Sequence, residues 1–145
     1  MSLPSPLTRD LRAFAGTMIP PGPSYGVPGA DDETIFADII KSLERDRDDV
    51  AAALERLTEL AGRPFADLDE QRRLEVANAL RREGGLAAAA LVRVVLLSYY
   101  RDDRVMIALG QEPRPPFPKG HTVEQGDWSL LDPVKRRPPF YRKTP

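Results

Sequence analysis

Residues 86–101 read LAAAALVRVVLLSYYR. Alanine and leucine are the strongest helix formers, and apolar side chains run almost all the way round this segment. A helix that is apolar on every side belongs at the centre of a bundle. The run is shorter than the 18 or more apolar residues of a membrane span, and Arg93 interrupts it. Arg93 is expected to pair with a carboxylate or to reach the surface.

The neighbouring sequence fits helices that surround this one. Downstream, Val105–Leu109 has room for one further turn, stopped by Gly110. Upstream, Gly84-Gly85 ends a helix that opens at Asp67 or Asp69. Asp67-Leu68-Asp69-Glu70 resembles a capping box, with Glu70 three residues after Asp67. Leu74, Ala77 and Leu80 form its expected buried stripe. Before it, Gly62 is a helix-ending residue and Pro64 a stop. Val50, Leu54, Leu57 and Ala61 keep helical spacing ahead of that stop. Ile35, Phe36, Ile39, Ile40 and Leu43 mark another apolar helix face, with Asp31 and Asp32 as cap candidates. The polar run Glu44–Asp49 lies between the last two. Residues 32–61 read better as two helices than as one, because Asp48-Asp49 can cap a second start. Leu7, Leu11, Phe14, Ala15 and Met18 give an N-terminal helix. No segment has a convincing period-two pattern.

Proline sets the limits of the helical zone. Of 15 prolines, six lie in residues 1–28 and eight in 113–145, and Pro64 alone falls in the 84 residues between. Proline breaks helix interiors, so the flanks are expected to be arms or loops. The predicted fold class is all-α: a small bundle of about five helices over residues 1–111, with a Pro-rich N-terminal arm 1–30 and an extended Pro- and aromatic-rich C-terminal arm 112–145. The 145 residues suit one domain of ordinary size.

Composition excludes several chemistries. Hydrophobic residues are 41% and charged residues 30%, the balance of a globular protein with a modest core. Lys and Arg total 21 against 22 Asp and Glu, a formal net charge of −1. That near balance argues against a nucleic-acid binder. The chain has no cysteine, so it has no disulfide, thiolate metal site or Cys nucleophile. Its one histidine, His121, excludes a multi-His metal site within this chain. The N-terminal residues carry neither paired arginines nor a basic stretch leading into an apolar one, and the expected location is the cytoplasm.

The carboxylate groups Asp31-Asp32-Glu33, Asp46/Asp48/Asp49, Asp67/Asp69/Glu70 and Asp102-Asp103 read as caps and solvated faces. There is no Glu-x-x-His for a di-metal bundle site and no calcium-loop glycine. No Gly-x-Gly-x-x-Gly or P-loop is present. His121, in Pro118-Lys119-Gly120-His121-Thr122, reads as a loop histidine. The competing reading makes it a general base assisted by Asp127 or Asp132. Tyr99 and Tyr100 read as packing at the end of the bundle, with their hydroxyls in solvent.

The C-terminal zone is the informative one. Phe117, Trp128, Phe140 and Tyr141 are four of the ten aromatics and include the only tryptophan. They sit among prolines with too few aliphatics to form a core. Lys135, Arg136, Arg137, Arg142 and Lys143 give the last twelve residues a net charge of +5. Aromatic anchors, prolines that lower the ordering cost and arginines together suit an arm that docks on a protein surface. The candidate partner-binding residues are Pro116, Phe117, Pro118, Trp128, Leu131, Arg136, Arg137, Phe140, Tyr141 and Arg142. The alternatives are a self-contained helical interaction module whose tail wraps its own bundle, and an enzyme that uses His121.

Several short segments resemble one family in order and spacing. They are Met18-Ile19-Pro20-Pro21, Gly26-Val27-Pro28-Gly29-Ala30, Gly62-Arg63-Pro64-Phe65-Ala66-Asp67-Leu68 and Leu97–Val105. Gly110 with Pro115–Gly120, and Asp127–Val134, continue the series. Across roughly residues 10–142 the chain resembles the gluconate 2-dehydrogenase subunit 3 family, small non-catalytic partners of flavin-dependent dehydrogenases. The resemblance implies a heteromer. Its large subunit, a glucose–methanol–choline (GMC)-type oxidoreductase of sugars or alcohols, would hold FAD and the catalytic His. This chain would carry no cofactor, metal or catalytic residue of its own, and would stabilise that subunit, assist its folding and cover part of its substrate entrance. Many members begin with a twin-arginine export signal. None is seen here, so the expected complex is cytoplasmic.

Overall fold

In the computed structural model, α5 (Gly85–Tyr99) takes the place expected of the central helix. The structure describes residues 3–113, 124–138 and 140, which fall into two compact units, one within 1–113 and one within 114–145.

The first unit is an all-α bundle. Its five longer helices are α1 (Ser5–Met18), α2 (Glu33–Lys41), α3 (Arg47–Ala61), α4 (Glu70–Glu83) and α5. A short α6 (Asp103–Ala108) follows. Among the described residues there is no strand; Gly22 and Val27 form one isolated antiparallel bridge. Among the described residues, no helix is long and apolar enough to cross a membrane.

The core follows from the apolar periodicity. Leu11, Phe14 and Ala15 of α1, Ile35 and Ile39 of α2, Val50, Leu54 and Leu57 of α3, and Leu91, Val94 and Val95 of α5 are buried together. α3 packs most extensively on α5, α4 lies on α3 and α1, and α2 lies on α5. Phe14 and Phe65 meet with ring centroids 6.1 Å apart. Burying a side chain of this size contributes about 1.5–3 kcal/mol.

Helix ends account for the chain's direction changes. Pro6 sits in the first turn of α1, where its missing N–H costs nothing. The Asp32 carboxylate caps α2, accepting from the backbone N–H of Thr34 at 3.1 Å and of Ile35 at 3.4 Å. Gly62 closes α3 in the left-handed region at φ 74°, a conformation glycine adopts without a Cβ clash. The Pro-rich connection between α1 and α2 is an ordered loop. Ala30 N–H donates to the Ile19 carbonyl at 2.9 Å, and Ala30 is fully buried. Arg12 Nε donates to the Asp31 carbonyl at 3.0 Å. The N-terminal prolines therefore bracket the expected N-terminal helix and an ordered loop.

Four local expectations need correction. The second start within 32–61 is real, but Asp48-Asp49 does not cap it. A 3-10 turn, Glu44–Asp46, places Asp46 at the N-cap, and Asp48 and Asp49 fall in the first turn of α3. There their charge complements the helix dipole. The cap of α4 is Asp69, one of the two starts expected, and not the Asp67 of the capping box; it accepts from Arg72 N–H at 2.8 Å. Asp67 instead ends the 3-10 turn Phe65–Asp67 and pairs with Arg9 at 2.7 Å. On α4 the buried residues are Val76 and Leu80, whereas Leu74 is exposed. Finally, α5 is not covered on every side: Leu86 and Leu97 lie open to solvent.

Arg93 pairs with Asp46 at 2.9 Å, one of the two outcomes expected of it. Tyr99 is buried and its hydroxyl donates to the Pro28 carbonyl at 3.2 Å, not to solvent. Tyr100 is half exposed and meets the Tyr99 ring edge-on, with centroids 5.3 Å apart.

The second unit contains a 3-10 turn, Trp128–Leu131, that runs into a single-turn helix α7 (Asp132–Lys135).

Candidate functional site

Asp127 organises the described part of the C-terminal segment. Its Oδ1 accepts from the Ser129 backbone N–H at 3.0 Å and from the Ser129 hydroxyl at 2.6 Å. These bonds, the hydroxyl first, hold the Asp127 carboxyl below its ordinary pKa. The cap starts the 3-10 turn, and Pro133 then fits the first turn of α7. Arg136 Nε donates to the Asp132 carbonyl at 3.2 Å and closes the other end.

This local order puts apolar side chains on view. Trp128 is 64% exposed, Leu130 74%, Leu131 42%, Val134 57% and Phe140 86%. Trp128, Leu131 and Val134 recur every third residue, the repeat of a 3-10 turn. Trp128 Nε1 donates to Gln125 Oε1 at 3.2 Å, so the indole's polar edge is satisfied within the segment. Lys135, Arg136 and Arg137 follow directly. Of the candidate partner-binding residues, Trp128 and Leu131 thus share one turn, Arg136 and Arg137 leave α7, and Phe140 lies just beyond. Pro116, Phe117, Pro118, Tyr141 and Arg142, together with His121, lie outside the described residues.

A second feature of the bundle was not anticipated as a unit. Arg104 is clamped between two helix caps. Its Nη2 donates to Asp32 Oδ1 at 2.7 Å and to Asp102 Oδ2 at 2.9 Å, and its Nε donates to Asp102 Oδ1 at 3.0 Å. The guanidinium, supported by backbone N–H bonds, holds both carboxyls below their ordinary range against a desolvation cost. The two carboxylates in turn raise the Arg104 pKa further. Beside this cluster Arg101 Nε donates to Asp38 Oδ2 at 3.1 Å, and its Nη2 donates to Ser42 Oγ at 2.8 Å. An open cleft of about 910 Å³ runs along these groups, with Lys41 and Ser98 also on its wall.

The sequence signal for this cluster lies in Asp102-Asp103-Arg104. A cation in the first turn of a helix opposes the dipole, so Arg104 needed nearby carboxylates. The cluster ties the start of α2 to the start of α6. Among the described residues, no group of three or more Asp, Glu, His or Cys side chains is arranged to hold a metal ion.

Fold and surface together define a class: an all-α bundle protein whose second unit presents an apolar, basic-flanked helical turn. No family model, curated protein or solved structure matches the chain.

Proposed function

We propose that the chain is the non-catalytic small subunit of a heteromeric, FAD-dependent GMC-type sugar or alcohol dehydrogenase, docking on the catalytic flavoprotein through residues 112–145 and stabilising it. The observation that carries this reading is the row Trp128, Leu130, Leu131, Val134 and Phe140, exposed on a segment whose backbone is already ordered by the Asp127 cap. Large apolar side chains on a preformed turn are the usual anchors of a protein interface, because ordering costs little on binding. Arg136 and Arg137 supply charged neighbours for carboxylates or carbonyls on the large subunit.

In this reading FAD and the catalytic His belong to the large subunit, in keeping with the lack of a dinucleotide-binding glycine motif in this sequence. The resemblance to the gluconate 2-dehydrogenase subunit 3 family gives the partner its class. Co-expression with a GMC-type flavoprotein tests the reading. The wild-type chain is expected to co-purify with the flavoprotein and to raise its yield. Truncating an interface hot spot costs about 2 kcal/mol or more, so Trp128→Ala with Tyr141→Ala should lose the complex. Undiminished co-purification of the double variant would remove the anchor assignment.

A further inference from the structure

α4 and α5 are consecutive, yet each packs mainly on other helices: α4 on α3 and α1, α5 on α3 and α2. Between α1, α4 and α5 lies a pocket of about 210 Å³. The buried side chains of Phe14, Leu80 and Ala88 line it, with half-buried Met18 and Val92 beside them. Leu74, expected from its spacing to be buried, stands at the lip and is 42% exposed. The polar lining is Thr17, Asn78 and Arg81, and no carboxylate borders the pocket. Thr17 already donates its hydroxyl hydrogen to the Ala13 carbonyl at 2.8 Å. Among the described residues, the side chains of Asn78 and Arg81 have no hydrogen-bond or ion-pair partner. Leu74, Asn78 and Arg81 are spaced by four and three residues on α4, so they share one face of that helix. One apolar group and two free donors thus border the opening from the same side.

We propose that this pocket binds a medium-chain aliphatic carboxylate, its tail on Phe14, Leu80, Ala88 and Val92 and its head on Arg81 and Asn78. An apolar lining with a few placed polar groups is the usual form of a small-molecule site. The volume sets the length of the tail. An apolar cavity of about 150 Å³ accommodates benzene, with six carbons. In proportion, about 210 Å³ suits about eight carbons.

Charge selects the head group. The pocket carries one cation and no anion, so a negative ligand meets attraction without repulsion from the lining. The planar guanidinium of an arginine matches the two oxygens of a carboxylate, and the Asn78 amide adds a neutral donor. An alkane would gain nothing from these donors. A small anion without a tail would leave Leu74 and the apolar lining in water. An aliphatic carboxylate satisfies both at once. The site lies within the first unit and does not rest on the proposed flavoprotein subunit role.

The test titrates octanoate into the full chain and follows methyl NMR signals. Those of Ala77, Leu80, Ala88 and Val92, which line the pocket, are expected to shift together and saturate, with a Kd of about 1 mM or tighter. Those of Ile35 and Ile39, on α2, stay in place. Octanol, with the same tail and no charge, should bind at least about tenfold more weakly, because a hydrogen bond to a charged group is lost. Arg81→Met keeps an apolar stem and breaks no ion pair, so helical circular dichroism is unchanged while the Kd for octanoate rises about tenfold. Val92→Phe fills the pocket and should abolish the shifts. Absence of saturable shifts up to about 10 mM octanoate, shifts spread equally over Ile35 and Ile39, octanol binding as tightly as octanoate, or an unaltered Kd in Arg81→Met or Val92→Phe would overturn the proposal.

Discussion

Replacing Asp32 by Ala removes two functions at once. The carboxylate caps α2 through Thr34 and Ile35, and it holds Arg104 at 2.7 Å. Losing an N-cap costs about 1 kcal/mol. The ion pair is partly shielded, with the Asp32 side chain 27% exposed and Arg104 47%. A half-exposed partner limits the pair to about 0.5–1 kcal/mol. The expected loss is therefore about 1.5–2 kcal/mol, or roughly 5–10 °C in Tm for a domain of this size. Asp32→Asn keeps a capping oxygen and loses the charge, so it should cost only the pair's share. Urea unfolding of wild type, both variants and Arg104→Met, arranged as a double-mutant cycle, separates the two contributions. The pH dependence has a definite sign. Asp32 has a lower pKa folded than unfolded, chiefly through Arg104. Its charge contribution is complete above the ordinary carboxylate pKa of about 4 and disappears as pH falls through the lowered folded value. The gap between wild type and Asp32→Asn should be constant near neutrality and close in acid. An Asp32→Ala protein within about 0.5 kcal/mol of wild type would refute the reasoning, since it would leave the cap without measurable value.

Three other outcomes follow from the packing and the caps. Leu91→Ala empties a fully buried site in α5 and should cost about 2–5 kcal/mol in denaturant unfolding. Asp69→Ala should lose about 1 kcal/mol as a cap, whereas Asp67→Ala, which breaks only an exposed pair with Arg9, should lose less than about 0.5 kcal/mol by the same assay. Gly62→Ala meets nothing within 4 Å but keeps φ at 74°; backbone strain alone should cost about 1 kcal/mol, read as a fall in Tm.

Most of the helix boundaries were legible because their determinants are local. Asp32 capping α2, Gly62 and Gly110 in the left-handed region, and the break between α2 and α3 each depend on a few neighbouring residues. The errors arose where tertiary contacts intervene. The buried Asp10 of α1 accepts from Ala66 N–H at 2.8 Å and fixes the 3-10 turn at Phe65–Asp67, so Asp67 is not available to cap α4. Arg73 lies on the inner side of α4, its Nη2 donating to the Ala66 carbonyl at 2.7 Å. A cation on that side hides the stripe formed with Val76 and Leu80, and Leu74 then stands in for it on spacing alone. The Arg104 clamp joins residues 32 and 102–104, a separation no local pattern records. The apolar residues of α5 mark it as a helix. Hydropathy cannot distinguish a side chain covered by its own bundle from one left open to solvent, and Leu86 and Leu97 are of the second kind.

The C-terminal surface was legible as a composition of aromatics, prolines and basic residues. Its geometry was not: prolines mark the zone as extended, whereas the Asp127–Ser129 cap starts a 3-10 turn that runs into α7.

Trp128 is the only tryptophan in the chain, which permits a direct test of the docking claim. The chain is labelled with a fluorinated tryptophan, and its single fluorine resonance is followed as a GMC-type flavoprotein is added. The docking account predicts that this signal leaves its solvent-exposed position, broadens to that of the larger complex and becomes insensitive to a soluble paramagnetic agent. A stable complex in which the indole signal stays sharp, unmoved and fully accessible to that agent would contradict it.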